Sequence, residues 1–256
     1  MTAIVVIAKE CLPGKVKTRL HPPLSLEQAA FLAAASLADT LAVAGSLPAT
    51  RRILAFDGVT APAEAFGWEV LPQTGGGLDE RLAAIFDHLD EPTLLLGMDT
   101  PQVSAELLAP VFLDWNTHLR SNTHPYSGTP PDSPPPPDSS PPTDAWFGPA
   151  DDGGFWALAL KNPTGALLRG IPMSRADTGA HQLQRLDEAG LSVRLLPSLT
   201  DIDTIADAHT VALAAPHTRF ARAFNRVRTA AQLDTADLYA ADLNTADDLP
   251  PKGAGS

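Results

Sequence analysis

The chain has 256 residues, with 18 basic and 30 acidic side chains that give a formal net charge of −12. Its apolar share of 44% is typical of a globular protein and excludes fibrous and wholly disordered classes. The negative charge argues against a nucleic acid partner bound through many phosphates. The single cysteine excludes an internal disulfide and any multi-cysteine metal site.

Apolar stretches near the N-terminus do not predict targeting or membrane insertion. The run at 3–8 is one strand long and leads directly into Lys9, so it does not resemble a secretory signal. The stretch 29–45 is interrupted by Ser36 and Asp39, and we predict that it is too short to span a membrane. We therefore expect a cytoplasmic protein with no membrane partner.

Strands and helices alternate along the chain. Apolar and β-branched runs predict strands at 2–8, 51–56, 68–71, 93–96, 155–160 and 193–196. Apolar residues at helical spacing predict helices at 25–44, 78–89, 104–119, 178–189, 204–214 and 218–230. Such repeats predict an α/β fold with a mostly parallel sheet and helices on both faces. Ligands of these folds bind beyond the carboxyl ends of the strands.

Two segments fall outside this pattern. Nine of the 25 prolines lie in the stretch 121–145, which we predict to be a disordered Pro-rich insertion. This insertion is either a tolerated surface loop or a ligand for SH3-like domains. Residues 231–256 are rich in Asp and Ala and predict a flexible acidic tail with a short helix that frays. The remaining chain, 1–230, is predicted to form a single domain.

A basic segment follows the first predicted strand. Four cations fall within eleven residues of a strongly acidic protein, namely Lys9, Lys15, Lys17 and Arg19. Gly14 allows the backbone to approach a ligand closely. The segment lacks the spacing of a Walker loop or a dinucleotide fingerprint. It is therefore predicted to bind an anion such as a polyphosphate, the alternative being a solvated basic turn.

Three acidic clusters also lie at predicted strand ends. Asp99 directly follows one strand and is placed to bind a divalent cation. A Gly-rich acidic turn at 148–154 leads into another strand. Asp201 and Asp203 form a D-x-D pair, although Asp203 or Thr204 could instead cap the next helix. Together with the basic segment, these clusters predict a site where Mg²⁺ or Mn²⁺ and cationic side chains clamp a nucleotide's phosphates.

The motifs occur in a recognisable order. They read A-K-x-x-x-P-G-x-V-K-T-R-L, then G-x-D-T-P, then G-P-A-x-D-G-G-F, then D-I-D-T. This order resembles a family of glycosyltransferase-A-like (GT-A) transferases known as radical-SAM/selenodomain-associated transferases and as a domain of unknown function. That family is related to the phospholactate and phosphoenolpyruvate guanylyltransferases of coenzyme F420 synthesis and, more distantly, to molybdenum cofactor guanylyltransferases. The stretch 73–82 further resembles the family's Q-x-G-x-L-G-x-R-L element.

The resemblance implies a Rossmann-like nucleotide-diphospho-sugar transferase domain and a role for each motif. The implied catalytic residues are Lys17, Arg19 and Asp99, and the implied metal ligands are Asp99, Asp201 and Asp203. The implied nucleotide-binding residues are Ala8, Lys9, Gly14, Lys17, Thr18, Arg19 and Gln73. The implied acceptor-binding residues are Gly148, Asp152, Gly153 and Gly154.

Three functions stay open at this point. The first is Mg²⁺-dependent nucleotidyl transfer from a nucleoside triphosphate to a small phosphorylated or carboxylate acceptor. The second is glycosyl transfer from a nucleoside-diphosphate sugar, and the third is a nucleotide-binding protein without catalysis. Cys11 lies in the basic segment, where neighbouring lysines are expected to lower its pKa, but no base that would activate it is apparent.

Overall fold

The computed structural model describes residues 2–121 and 143–231. Seven strands form one sheet: β1 (Ala3–Lys9), β2 (Arg51–Asp57), β3 (Glu69–Pro72), β4 (Thr93–Gly97), β5 (Ala145–Pro149), β6 (Phe155–Leu160) and β7 (Val193–Leu195). The α-helices are α1 (Leu26–Ser46), α2 (Leu78–Asp87), α3 (Ala105–Ser121), α4 (Thr178–Glu188), α5 (Ile205–Ala214) and α6 (Arg219–Ala230). The predicted α/β fold is confirmed, while β5 is a strand that the sequence patterns did not predict.

The strand order is β3-β2-β1-β4-β6-β5-β7. β1 pairs in parallel with β2 and β4, β2 pairs in parallel with β3, and β5 pairs in parallel with β7. β6 runs antiparallel to both of its neighbours, β4 and β5. The mostly parallel sheet is therefore confirmed, with one reversed strand that the prediction missed. Because β6 starts where β5 ends, the turn between them lies at the same edge as the carboxyl ends of the other strands.

Helices cover both faces of the sheet because its strands alternate between two apolar cores. Ile4 and Val6 of β1 pack in a core with residues of α1 and α3. Ala3 and Val5 face the opposite way, into a core that includes residues of α2 and α4. A third cluster packs α5 and α6 against the outer side of α1. Most of the site described below lies on the loops that leave this rigid scaffold.

The start of α1 follows its sequence signature. The Ser25 hydroxyl accepts a hydrogen bond from the Gln28 amide, and the Gln28 side chain accepts one from the Ser25 amide. This capping box satisfies amide groups that have no partner within the helix. Farther along α1, the Asp39 carboxylate accepts hydrogen bonds from the first amides of α6, those of Arg219 and Phe220. α1 is thereby joined to the outermost helix by polar contacts as well as by packing.

The stretch 29–45 lies in α1, and the expectation that it is too short to cross a membrane is wrong. The helix is long enough and apolar enough to do so by length and composition alone. α1 has 21 residues and contains an 18-residue window with a mean hydropathy of 1.5, which meets the requirement for a span. Its apolar residues are explained by the fold, because 56% of the same window is buried inside the protein between two of the cores. A core helix with helices and a sheet around it needs apolar side chains on most of its circumference.

The two segments predicted to lie outside the domain fall mostly beyond the described residues. The structure describes the predicted insertion at residue 121 and at 143–145, where Thr143 is buried and Ala145 begins β5. The Asp144 carboxylate accepts a hydrogen bond from the Ser192 amide, which fixes the entry to β5 beside β7. Of the predicted tail, residue 231 is described, and α6 ends just before it.

Candidate functional site

A cavity of about 730 Å³ opens at the carboxyl edge of the sheet. It is lined by the basic segment, by Asp99 after β4, by the β5–β6 turn and by the segment ahead of α5. The predicted site residues that line it are Ala8, Lys9, Lys17, Thr18, Arg19, Gln73, Asp99, Asp152, Gly154, Asp201 and Asp203. Four separate sequence motifs therefore meet in one place, as expected for strand ends in an open α/β sheet.

Lys17 is the buried cation of the basic segment. Its backbone adopts the left-handed conformation, with φ of 48°, directly before the short 3-10 helix Thr18–Leu20. Its ammonium lies 3.0 Å from the Asp99 carboxylate and 3.1 Å from that of Asp203, and its side chain is 9% exposed. Burial alone would lower the pKa of Lys17, but attraction to Asp99 and Asp203 outweighs it and raises that pKa. The interpretation of this segment as a solvated turn is wrong for Lys17.

The other cations of the segment are more accessible. Arg19 places its guanidinium 3.1 Å from the second carboxylate oxygen of Asp203, and 76% of its side chain is exposed. Lys9 and Lys15 line the cavity, and within the described residues neither side chain has an ion-pair partner. Two cations are therefore held by carboxylates and two are free to meet an anion. Gly14 has a positive φ of 73°, which the turn requires, but it does not line the cavity.

The backbone around Asp99 is held in place by two distant parts of the chain. The Met98 carbonyl accepts a hydrogen bond from the buried Ser36 hydroxyl of α1. The Asp99 carbonyl accepts one from the Ile202 amide, which ties the end of β4 to the D-x-D segment. One carboxylate oxygen of Asp99 pairs with Lys17, and the other is buried without a hydrogen-bond partner among the described residues. An unpaired buried carboxylate oxygen is costly and fits a position that receives a cation.

The D-x-D segment is not used to cap the helix that follows it. Thr204 is the N-cap of α5, and its hydroxyl accepts a hydrogen bond from the Asp207 amide. The Asp207 carboxylate accepts a reciprocal hydrogen bond from the Thr204 amide. This capping box leaves the carboxylates of Asp201 and Asp203 facing the cavity. The capping alternative is thus correct for Thr204 and wrong for Asp203.

A group of carboxylates suits a metal ion. One oxygen each of Asp152, Asp201 and Asp203 lies within 4.8 Å of the others. Burial, together with the nearby negative charges of Asp152 and Asp203, raises the pKa of Asp201 to about 6. A hard divalent cation such as Mg²⁺ or Mn²⁺ would relieve the repulsion between these clustered carboxylate oxygens. Asp152, which was predicted to bind the acceptor, thus lies beside Asp201 and Asp203, whereas Asp99 is outside this group and pairs with Lys17.

The β5–β6 turn both joins neighbouring segments and forms a wall of the cavity. The Asp151 carboxylate accepts hydrogen bonds from the hydroxyls of Ser198 and Thr200, which lower the pKa of Asp151 and fasten the turn to the segment before α5. Asp152 instead accepts a hydrogen bond from the Gly154 amide and faces the cavity. The two adjacent aspartates therefore have different roles, which their positions in the sequence did not reveal.

Two glycines of this region are required by packing. A side chain at Gly148 would meet the Trp156 indole at 2.6 Å, and Gly148 does not line the cavity. Gly153 has a φ of 88°, and a Cβ there would lie 2.0 Å from the Ala176 carbonyl oxygen. The prediction that both contact the acceptor is not supported by their placement. They allow close approach of neighbouring backbone instead.

Gln73 binds the sheet rather than standing free. Its amide nitrogen donates hydrogen bonds to the carbonyls of Ala8 and Ala55, each at 2.9 Å, at the ends of β1 and β2. Its amide oxygen accepts a hydrogen bond from Arg81 of α2 at 3.1 Å. Both side chains line the cavity, so this rigid pair forms its wall beside the β1 strand end.

The sequence motifs missed one wall of the cavity. The segment before α4 contributes Met173, Ser174, Arg175 and Ala176, and α4 contributes its first residue, Thr178. Ser174 has a positive φ of 58°, which is unusual for a residue with a side chain. The Arg175 guanidinium makes two hydrogen bonds of 2.9 Å to the Asp177 carboxylate. Nothing in residue type or spacing indicated this wall, because the segment carries no motif and reaches the cavity only through the folding of the chain.

The expected effect of the lysines on Cys11 is wrong. Burial, together with the negative charges of Asp99 and Glu10, raises the pKa of the Cys11 thiol to about 11. A thiol with such a pKa is almost entirely protonated at neutral pH and is a weak nucleophile. Cys11 is therefore no candidate for covalent catalysis.

The crowding at Gly153 yields a direct prediction. Gly153→Ala should destabilise the fold by about 3 kcal/mol, because a strained φ combines with a clash against the backbone of Ala176. Gly170 is a matched control, since its φ is 77° but a Cβ there would meet nothing within 4 Å. Gly170→Ala should cost about 1 kcal/mol. Urea unfolding measures both, and equal losses would contradict the close packing of the turn against the segment before α4.

Solved structures resemble this fold. A protein from Desulfovibrio desulfuricans, provisionally named a nucleotide-diphospho-sugar transferase, is 24% identical with a TM-score of 0.69, and the match covers 90% of this chain and 96% of that one. A cytidylyltransferase from Leptospira borgpetersenii is 11% identical with a TM-score of 0.46, covering 100% and 99% of the two chains. Rv0371c from Mycobacterium tuberculosis, solved with manganese, is 17% identical with a TM-score of 0.45, covering 82% and 96%.

The sequence itself places the chain in a family. No curated protein matches it in sequence. A family model described as "Uncharacterized protein conserved in bacteria (DUF2064)" matches residues 32–175, which is over half of the chain. The first of the structural similarities supports the GT-A-like fold of nucleotide-diphospho-sugar transferases. The chain belongs to the DUF2064 family.

Proposed function

We propose that the protein is a metal-dependent nucleotidyltransferase that transfers a nucleotidyl group from a nucleoside triphosphate to a small phosphorylated or carboxylate acceptor. The observation that carries this proposal is the presence of opposite charges in one cavity, which is lined both by four cations of the basic segment and by the acidic group Asp152, Asp201 and Asp203. A nucleotide with divalent cation presents the complementary pattern of anionic phosphates and a positive ion.

The number of cations favours a triphosphate over a diphosphate sugar. Lys9, Lys15, Lys17 and Arg19 all line the cavity within one short segment. A triphosphate carries more negative charge than a sugar diphosphate, and its pyrophosphate leaving group develops still more as its bond to the α-phosphorus breaks. The basic segment is suited to stabilise that charge. Glycosyl transfer from a nucleoside-diphosphate sugar is the second candidate, and the GT-A-like fold is compatible with it.

Each part of the cavity has a proposed role. An acceptor oxygen attacks the α-phosphorus, the bond to the bridging oxygen breaks, and pyrophosphate leaves. Lys17 and Arg19 bind the phosphates and neutralise the leaving group. Asp99, Asp201 and Asp203, with Asp152, would hold Mg²⁺ or Mn²⁺, which supplies positive charge at the phosphates. The acceptor would occupy the remaining part of the cavity, which is lined by Gly154 and the segment before α4.

The proposal is tested by following pyrophosphate. The protein with Mg²⁺ is incubated with each nucleoside triphosphate in turn, with phosphoenolpyruvate or phospholactate as acceptor, and pyrophosphate release is expected with one triphosphate and one acceptor. Consumption of nucleotide sugars alone would make the protein a glycosyltransferase instead. If neither class of nucleotide raises the melting temperature in the presence of Mg²⁺, the site does not bind nucleotides and the proposal is wrong.

Asp99 provides the corresponding variant. Asp99→Asn should weaken Mg²⁺-dependent nucleotide binding by about tenfold or more, because it removes a charged ligand and leaves Lys17 with one carboxylate fewer. Asp90→Asn removes an equal charge from an exposed position near the start of β4, at the opposite edge of the sheet, and should leave binding unchanged. Calorimetric titration with and without Mg²⁺ measures both variants. An unaltered metal dependence in Asp99→Asn would remove Asp99 from the metal site.

A further inference from the structure

Lys17 occupies the place of a cation among the carboxylates of the site. Its ammonium contacts Asp99 at 3.0 Å and Asp203 at 3.1 Å, with the side chain almost fully buried. The second oxygen of Asp203 is engaged by Arg19 at 3.1 Å. Two of the three carboxylates predicted to bind metal are therefore already neutralised by side chains of the protein itself.

A divalent cation cannot take these carboxylates without a consequence for Lys17. A buried ammonium that loses its counter-charges pays a large desolvation cost and is repelled by the arriving positive ion. The cost disappears if another anion takes the place of the carboxylates. Phosphate oxygens provide such an anion, and the four-carbon stem of Lys17 allows its ammonium to reach them while the backbone stays in its left-handed turn.

We propose that Lys17, besides binding the phosphates, competes with the divalent cation for Asp99 and Asp203, so that the cation binds tightly only together with the nucleotide's phosphates. This inference rests on the proposed function and extends it. Lys17 neutralises the carboxylates when the site is empty of nucleotide and is released to the phosphates when both ligands arrive. The metal and the nucleotide are then coupled, and each raises the affinity for the other by the same factor.

The competition has an unusual signature, because removing a residue of the site should strengthen one of its ligands. In Lys17→Met the carboxylates lose their competing charge, so Mn²⁺ alone should bind at least about tenfold more tightly than to the unaltered protein. Nucleotide should then raise Mn²⁺ affinity less than it does in the unaltered protein. A residue with a merely structural role would weaken both ligands when removed.

Mn²⁺ binding is measured from the electron paramagnetic resonance signal of the free ion, first without nucleotide and then with each of GTP, CTP, ATP and UTP. Lys15→Met is the matched control, because Lys15 lines the same cavity and carries the same charge but has no ion pair with these carboxylates within the described residues. It should leave Mn²⁺ affinity without nucleotide within about twofold. Lys17→Arg keeps the positive charge and should bind Mn²⁺ as weakly as the unaltered protein.

The outcomes are separable. If Lys17→Met binds Mn²⁺ no more tightly than the unaltered protein, or if Lys15→Met gains as much as Lys17→Met, the competition is overturned. If no nucleoside triphosphate tightens Mn²⁺ binding to the unaltered protein, the proposed function fails, whereas the nucleotide-free comparison still decides the competition for the carboxylates. Circular dichroism and thermal melting establish that each variant is folded, and Lys17→Gln replaces Lys17→Met if the methionine variant does not fold.

Discussion

The ion pairs of Lys17 with Asp99 and Asp203 determine how the site is assembled. They join three parts of the chain that are far apart in sequence: the loop after β1, the end of β4 and the segment ahead of α5. A buried ammonium is stable only while carboxylates surround it, so each of these loops constrains the other two. Hydrogen bonds from the Ser36 hydroxyl to the Met98 carbonyl and from the Ile202 amide to the Asp99 carbonyl also hold the end of β4 to α1 and to the segment ahead of α5. The charges that the protein must neutralise internally are also those that a metal–nucleotide ligand would engage.

The scaffold beneath these loops follows from local sequence patterns, with one exception. Alternation of apolar strands and amphipathic helices was enough to predict the α/β fold, and the Ser25 capping-box pattern located the start of α1. The strand β5 was missed because it follows the Pro-rich stretch directly and ends in Gly148-Pro149, residues that are typical of a turn. The reversed direction of β6 could not be derived from periodicity, because pairing direction depends on which strands become neighbours. The β5–β6 turn that results, and Asp152 with it, lies at the edge of the sheet where the cavity opens.

The candidate site was predictable where residues of one kind cluster at strand ends, and not where distant backbone supplies a wall. Lys17, Asp99, Asp201 and Asp203 were identified in this way, and the structure brings all four into one cavity. Asp151 fastens a loop and Asp152 faces the cavity. This distinction was not predictable, because it depends on hydrogen bonds to Ser198 and Thr200, which are far away in sequence. The wall before α4 carries no such cluster, and its Ser174 conformation and Arg175–Asp177 pair are visible only in the folded chain. Gly148 was predicted to contact the acceptor, but the structure shows instead that it is required for close packing against Trp156.

We propose that one cavity holds a divalent cation on its aspartates and nucleotide phosphates on its basic segment. Crystals grown with Mn²⁺ and a non-hydrolysable nucleoside triphosphate test it most directly, through anomalous scattering at the manganese edge. We expect an anomalous peak coordinated by Asp201 and Asp203, with phosphate density against Lys17 and Arg19. A manganese peak away from these aspartates, or a nucleotide bound outside the cavity, would contradict it.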